Sequence, residues 1–94
     1  MCANAQAHNA IGFCYLNMER QADAIVEFQT AVKLQPGYTI AWNNLGDVLE
    51  KQGKWSEALD AYEQVLLLKG DDDIARQRCS QLRLRAGRIS KKTM

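Results

Sequence analysis

The chain is predicted to fold as an all-α solenoid of two helical hairpins closed by a fifth helix, and three observations predict it. First, residues 39–72 repeat residues 5–38 at a fixed offset of 34: Ala7 maps to Ala41, Asn9 to Asn43, Ile11 to Leu45, Gly12 to Gly46, Ala24 to Ala58, Phe28 to Tyr62, Ala31 to Val65 and Leu34 to Leu68. A period of this size marks a stack of helix–turn–helix units, each burying its apolar face only against its neighbours. Second, apolar residues recur at helical spacing, as in Ile40, Leu45, Val48 and Leu49 and again in Leu59, Tyr62, Val65 and Leu66, the stripe of a half-buried helix. Third, the sequence after the second copy carries one narrow apolar stripe on an otherwise polar segment, which is what a stack needs to close its end against water.

Helices are predicted near 4–18, 22–35, 39–52, 55–69 and 72–87. The first contains Ala10-Ile11-Gly12-Phe13-Cys14-Tyr15-Leu16, apolar around almost its whole circumference. It is therefore expected to be covered, either by preceding units of a longer array or by self-association through Ile11, Phe13 and Tyr15, the remaining alternative being a tolerated exposed patch. The turn after it has Glu19 where the second copy has Gly53; if that turn needs a positive φ, a non-glycine residue there costs about 1 kcal/mol. Gln35-Pro36-Gly37 stops the second helix, since proline disfavours helix at the preceding residue and glycine tolerates a left-handed turn. Gly53 and Gly70 are expected to do the same for the third and fourth. Ser56 and the Asp71-Asp72-Asp73 run are the predicted N-caps of the fourth and fifth helices. The fifth helix aligns Ile74, Ala75, Cys79, Leu82 and Ala86 on one stripe, with Arg76 where the second copy has Trp42. Small residues, Gly12, Gly46, Ala24 and Ala58, allow close helix approach, while Tyr15, Phe28, Trp42, Trp55 and Tyr62 fill the space between. Trp42, Leu45, Leu59 and Tyr62 are the expected core.

A single domain over 1–94 accommodates all of this: a repeat at 5–38, a repeat at 39–72, then a capping helix and basic tail at 73–94. Hydrophobic residues make up 47% of the chain, with one proline, six glycines and no linker-like tract. A chain this short buries about 60–65% of its unfolded surface, so stability is expected to be a few kcal/mol. No secretory leader and no run approaching the ~20 apolar residues of a membrane span occurs, so the chain reads as soluble.

The net charge of +1 conceals a gradient. Residues 1–38 carry −1 and residues 39–72 carry three lysines against seven carboxylates, whereas 73–94 carry seven basic residues against Asp73 alone. The basic end is either a solvated cap face or a dock for an acidic partner or an anionic membrane surface. Nucleic acid is disfavoured, because no aromatic residue is interleaved with the arginines to stack bases.

Cys2, Cys14 and Cys79 have neither zinc-ligand nor disulfide-framework spacing, which favours a reducing compartment. Cys14 and Cys79 fall on apolar stripes and read as small buried hydrophobes. His8 is the sole histidine, and no glycine-rich phosphate loop or nucleophile elbow occurs. Asp71–Asp73 lacks the spacing of a calcium loop. No catalytic residue, metal site or cofactor is expected, and Glu50, Glu57, Asp60 and Glu63 read as solvated helix faces.

Trp42-Asn43-Asn44-Leu45-Gly46-Asp47-Val48-Leu49, followed by Gly53, Trp55, Ala58 and Tyr62, closely resembles the tetratricopeptide repeat (TPR) pattern. The first copy keeps Ile11-Gly12, Tyr15, Ala24, Phe28 and Pro36 but has His8 and Gln21 at the two tryptophan positions. The resemblance implies a right-handed superhelix with a concave groove, lined by the first helix of each repeat, that grips a partner peptide or helix. It maps the groove onto Asn9, Phe13, Leu16 and Asn17, then Ile40, Asn43, Asn44, Asp47, Glu50 and Lys51, then Ile74, Gln77, Arg78, Gln81 and Arg85. Asparagine amides both donate and accept, so they can hold a peptide backbone without reading its sequence.

TPR domains that clamp the C-terminal carboxylate of heat-shock chaperones use lysines at two groove positions that here hold Asn9 and Ile74. Only Asn44 and Arg78 match among five such positions, so a chaperone clamp is not expected. The run from Ala41 to Asp47, with Glu63-Gln64-Val65-Leu66 and an arginine-rich trailing helix, also resembles plastid and cyanobacterial TPR proteins that assist photosystem assembly, a resemblance that implies a plastid stroma as the alternative to the cytoplasm. Two functions follow: a non-catalytic adaptor or assembly factor that binds a protein partner in this groove, or a structural end piece of a longer array whose binding lies elsewhere.

Overall fold

The computed structural model describes residues 4–86, in which five helices follow one another: α1 Ala5–Asn17, α2 Gln21–Leu34, α3 Thr39–Lys51, α4 Trp55–Leu68 and α5 Asp73–Ala86. Each end lies within one residue of its predicted position, and no strand occurs among the described residues. α1 pairs with α2, α3 with α4, α2 packs on α3 and α4 on α5, while α1 also touches α3. The architecture is an all-α solenoid. The basic tail beyond Gly87 lies outside the described residues, as does Cys2.

Two equivalent contacts set the spacing within the hairpins. Phe28 of α2 lies over Gly12 of α1, and Tyr62 of α4 over Gly46 of α3, both rings buried. A Cβ at Gly12 would stand 2.8 Å from the Phe28 ring, and one at Gly46 2.8 Å from the Tyr62 ring. Ala24 and Ala58 are fully buried, as their size predicts. Around them, Val48, Leu59, Val65, Cys79 and Leu82 complete the core, each large apolar side chain contributing about 1.5–3 kcal/mol by leaving water.

Both intra-hairpin turns are the same Schellman closure. Arg20 N–H donates to Tyr15 O at 2.8 Å and Glu19 N–H to Leu16 O at 3.0 Å; thirty-four residues on, Lys54 N–H donates to Leu49 O at 3.0 Å and Gly53 N–H to Glu50 O at 2.9 Å. The residue at the turn must be left-handed, and Glu19 adopts φ 60° where Gly53 adopts φ 76°. The strain predicted at Glu19 is present. Glu19→Gly is expected to stabilise the fold by about 0.5–1 kcal/mol, the relief of that strain exceeding the entropy glycine adds to the unfolded chain; urea titration followed by circular dichroism measures it.

The inter-hairpin turns differ from expectation. Neither Gly37 nor Gly70 takes a positive φ. Instead Tyr38 N–H donates to Gln35 O at 3.0 Å and Asp72 N–H to Lys69 O at 3.2 Å, closing right-handed turns that need no glycine. Nor does Ser56 cap α4: it lies inside the helix, Lys54 is the capping residue, and no side chain there accepts a bond. The Schellman turn draws the backbone into α4 before Ser56 is reached. Asp72 does cap α5, accepting Ala75 N–H at 3.0 Å, and Asn4 caps α1 through Ala7 N–H at 2.8 Å.

Trp42 is half-buried because its indole N–H reaches out to Pro36 O at 2.8 Å and pins α3 to the preceding turn. Arg76, its counterpart one repeat later, donates to Gly70 O at 2.9 Å. The arginine thus keeps the bond while discarding the bulk.

Charge is used across helices. Arg78 of α5 pairs with Glu50 of α3 at 3.3 Å, and Arg83 of α5 with Glu63 of α4 at 3.5 Å, so these two carboxylates are not merely solvated faces. Arg85 lies over the Trp55 ring at 5.0 Å. The positive cap is complementary to the negative repeat it closes. His8, at a degenerate tryptophan position, bonds Glu27 of α2 at 2.7 Å.

The ends of the stack are unequal. On α5, Ala75, Cys79 and Leu82 are buried against α4, and burial pushes the Cys79 thiol pKa up. Their counterparts on α3, Ala41, Leu45 and Val48, are buried too. On α1 the corresponding Ala7, Ile11 and Cys14 are exposed, because among the described residues no helix packs on that side. Cys14 is therefore not the buried hydrophobe its stripe suggested. Tyr15, expected to be uncovered, is half-buried against the core, with Arg20 at 4.8 Å over its ring. Ile74, expected on the cap's buried stripe, is 66% exposed, since it falls one residue to the groove side of Ala75.

Candidate functional site on the first-helix face

The residues singled out in the sequence occupy register-related positions on α1, α3 and α5. Asn9, Asn43 and Gln77 form one set, Phe13, Asp47 and Gln81 a second, and Asn17, Lys51 and Arg85 a third, each spaced by the 34-residue period. Asn44 Nδ2 donates to Asn9 Oδ1 at 2.9 Å, tying α3 to α1. These two amides hold each other and keep only part of their capacity for a ligand.

Two shallow hollows of about 270 Å³ each gather Asn43, Asn44, Asp47, Lys51, Arg78 and Arg85. One is lined by Asn43, Asn44, Asp47, Tyr62, Asp72, Ile74 and Arg78. The other, toward the C-terminal end of α3, is lined by Asp47, Glu50, Lys51, Trp55, Arg78 and Arg85. Arg78 stands between them, held by Glu50, and Lys51 Nζ lies 3.4 Å from Asp47 Oδ2. Phe13, Asn17, Gln77 and Gln81 are exposed and line neither hollow. Phe13 and Ile40 present apolar surface on the α1 and α3 part of the face, 53% and 56% exposed.

Tyr62, Asp72 and Trp55 were not singled out as site residues. Tyr62 and Trp55 read as packing aromatics and Asp72 as a cap. The available signal was the offset itself, which places a tyrosine hydroxyl where the first repeat has Phe28. Burial, followed by the neighbouring Asp47 carboxylate, raises the Tyr62 pKa, so this hydroxyl stays protonated. Among the described residues no group of three or more His, Cys, Asp and Glu is placed to hold a metal ion.

Residues 39–72 and residues 5–38 each match the tetratricopeptide repeat family. The chain belongs to the tetratricopeptide repeat family. Its fold is that of a non-catalytic protein–protein interaction module. It is 46% identical over 79 residues to the Arabidopsis thaliana tetratricopeptide repeat domain-containing protein PYG7, chloroplastic, covering 84% of this chain and 26% of that protein. The crystal structure of MamA superposes with a TM-score of 0.85 at 26% identity, over 89% of this chain and 46% of MamA. The second TPR domain of human RPAP3, solved with an HSP70 peptide, superposes with a TM-score of 0.78 at 27% identity, over 86% of this chain and 68% of that one. This TPR chain thus spans about a quarter of the length of PYG7. Among its described residues no helix is long and apolar enough to cross a membrane.

Proposed function

We propose that this chain is a non-catalytic adaptor or assembly factor that binds an extended or helical segment of a partner protein on the face formed by α1, α3 and α5. The observation that carries the reading is the hollow between α3 and α5. Side chains from α3, α4 and α5 converge there around amide, carboxylate and hydroxyl groups, with Ile74 supplying exposed apolar surface beside them. The peptide-bound RPAP3 relative supports a peptide as the occupant. The likeness to chloroplastic PYG7 supports a plastid setting, where the sequence resemblance points to photosystem assembly. The chaperone clamp is not the proposed mode: Phe13 and the exposed Ile74 stand where it needs polar and cationic groups.

Asn43→Ala combined with Asn44→Ala is expected to weaken partner binding by more than the ~1 kcal/mol of one neutral hydrogen bond. Loss of the Asn9 bond lowers folding stability by no more than about that amount. Calorimetric titration with peptides recovered by pull-down, paired with thermal melts, checks both. Unchanged affinity removes this face from consideration.

A second reading, the end piece of a longer array, is favoured by the exposed Ala7, Ile11 and Cys14. Their counterparts on α3 and α5 are all covered by a preceding second helix.

A further inference from the structure

We propose that the hollow between α3 and α5 selects a basic residue: it receives the lysine or arginine side chain of the partner segment, while an apolar side chain of the same segment lies on Phe13 and Ile40. The inference rests on the reading that this face binds a peptide.

The first observation is the Tyr62 hydroxyl. Tyr62 is only 3% exposed, its ring is fixed over Gly46, and it lines the hollow. Among the described residues its hydroxyl has no hydrogen-bond partner. A buried polar group without a partner calls for an explanation. Packing does not supply one, since Phe28 fills the same place in the first repeat without a hydroxyl. A donor entering the hollow would meet the hydroxyl oxygen as an acceptor.

The second observation is the charge around it. Asp47 and Asp72 stand in the wall. Arg78, the cation in the same wall, is held by both oxygens of Glu50 at 3.3 Å and, among the described residues, bonds neither Asp47 nor Asp72. Lys51 approaches Asp47 only as an exposed i,i+4 pair at 3.4 Å, an interaction of little strength. Asp72 spends one oxygen on Ala75 N–H and keeps the other. An ammonium or guanidinium would therefore find two carboxylates and a hydroxyl oxygen, all acceptors, and charge-assisted bonds of this kind are the strong ones. An acidic side chain would meet like charge.

The third is the register. Asp47 corresponds to Phe13 and Ile74 to Ile40, so moving one repeat toward α1 exchanges the acidic wall for an apolar one. A segment crossing both repeats is read as apolar, then basic.

Selection of a random peptide library on the immobilised 94-residue chain is expected to enrich lysine or arginine near leucine, isoleucine or phenylalanine. Binding of an enriched peptide, followed by fluorescence anisotropy, should weaken about tenfold or more with Asp47→Asn plus Asp72→Asn and about threefold with Tyr62→Phe. Both variants should remain folded, because asparagine is as good an N-cap as aspartate and phenylalanine already occupies the equivalent place. The outcomes separate the two readings. Acidic or uncharged peptides that are lost with Asn43→Ala plus Asn44→Ala but indifferent to Asp47→Asn, Asp72→Asn and Tyr62→Phe would overturn the selectivity and leave the groove standing. Peptides indifferent to every variant, or no enrichment at all, would overturn both.

Discussion

Phe28→Ala is expected to destabilise the chain by about 3–5 kcal/mol, the range for deleting a large aromatic side chain from a packed core. Phe28 is fully buried, and the glycine beneath it can neither extend nor rotate to fill the space. Stability at this length is expected to be only a few kcal/mol, so the variant should lose most of its urea midpoint and be largely unfolded at physiological temperature. Denaturation followed by helical circular dichroism gives the number. Leu84→Ala, on the exposed side of α5, should move the midpoint by less than about 0.5 kcal/mol. A Phe28→Ala loss no larger than that of the Leu84 variant would mean that the α1–α2 contact does not organise the hairpin.

Gly46→Ala sets two effects of opposite sign against each other. Alanine favours helix over glycine by about 1 kcal/mol, but its Cβ would lie 2.8–3.0 Å from three atoms of the Tyr62 ring. The Tyr62 ring is buried against Gly46 and could yield only by shifting toward the hollow it lines, so overpacking of about 1–3 kcal/mol wins. A net loss of about 2 kcal/mol is expected. Gly37→Ala, with nothing within 4 Å of its added Cβ, should be neutral or slightly stabilising. Equal behaviour of the two alanine variants would show that the close approach of α3 and α4 does not depend on the glycine.

The helices and their pairing were legible because a 34-residue period fixes both the spacing of apolar faces and the sites of closest approach. Even the strain at Glu19 could be read, since its counterpart is a glycine. What could not be read depends on neighbours. Cys14 belongs to a stripe buried in both other copies, but a stripe does not say whether a helix lies across from it. Glu50 and Arg78 are 28 residues apart, and only the packing of α5 on α4 brings Arg78 within reach of α3. Trp42 was assigned to the core by size, whereas its one polar atom decided its position by seeking the Pro36 carbonyl. The site was legible as a set of register positions and not as a surface, because Tyr62 and Asp72 have structural duties that account for their residue types before any ligand does.

The bare side of α1 and the left-handed Glu19 fall in the same hairpin, and together they tilt the energetics of the whole molecule. In a nearest-neighbour description each hairpin has an intrinsic free energy and shares coupling terms with whatever it touches. The α3–α4 unit is coupled on both flanks and turns on a relaxed glycine; the α1–α2 unit is coupled on one flank and turns on a strained glutamate. Within the described residues, opening is therefore expected to propagate from the amino-terminal unit inward, with amide exchange protection rising from α1 to a maximum in α3 and α4. Any protein surface that lies against Ala7, Ile11 and Cys14 adds the missing coupling term, so its arrival would be registered along the chain as slower exchange well beyond the residues it touches.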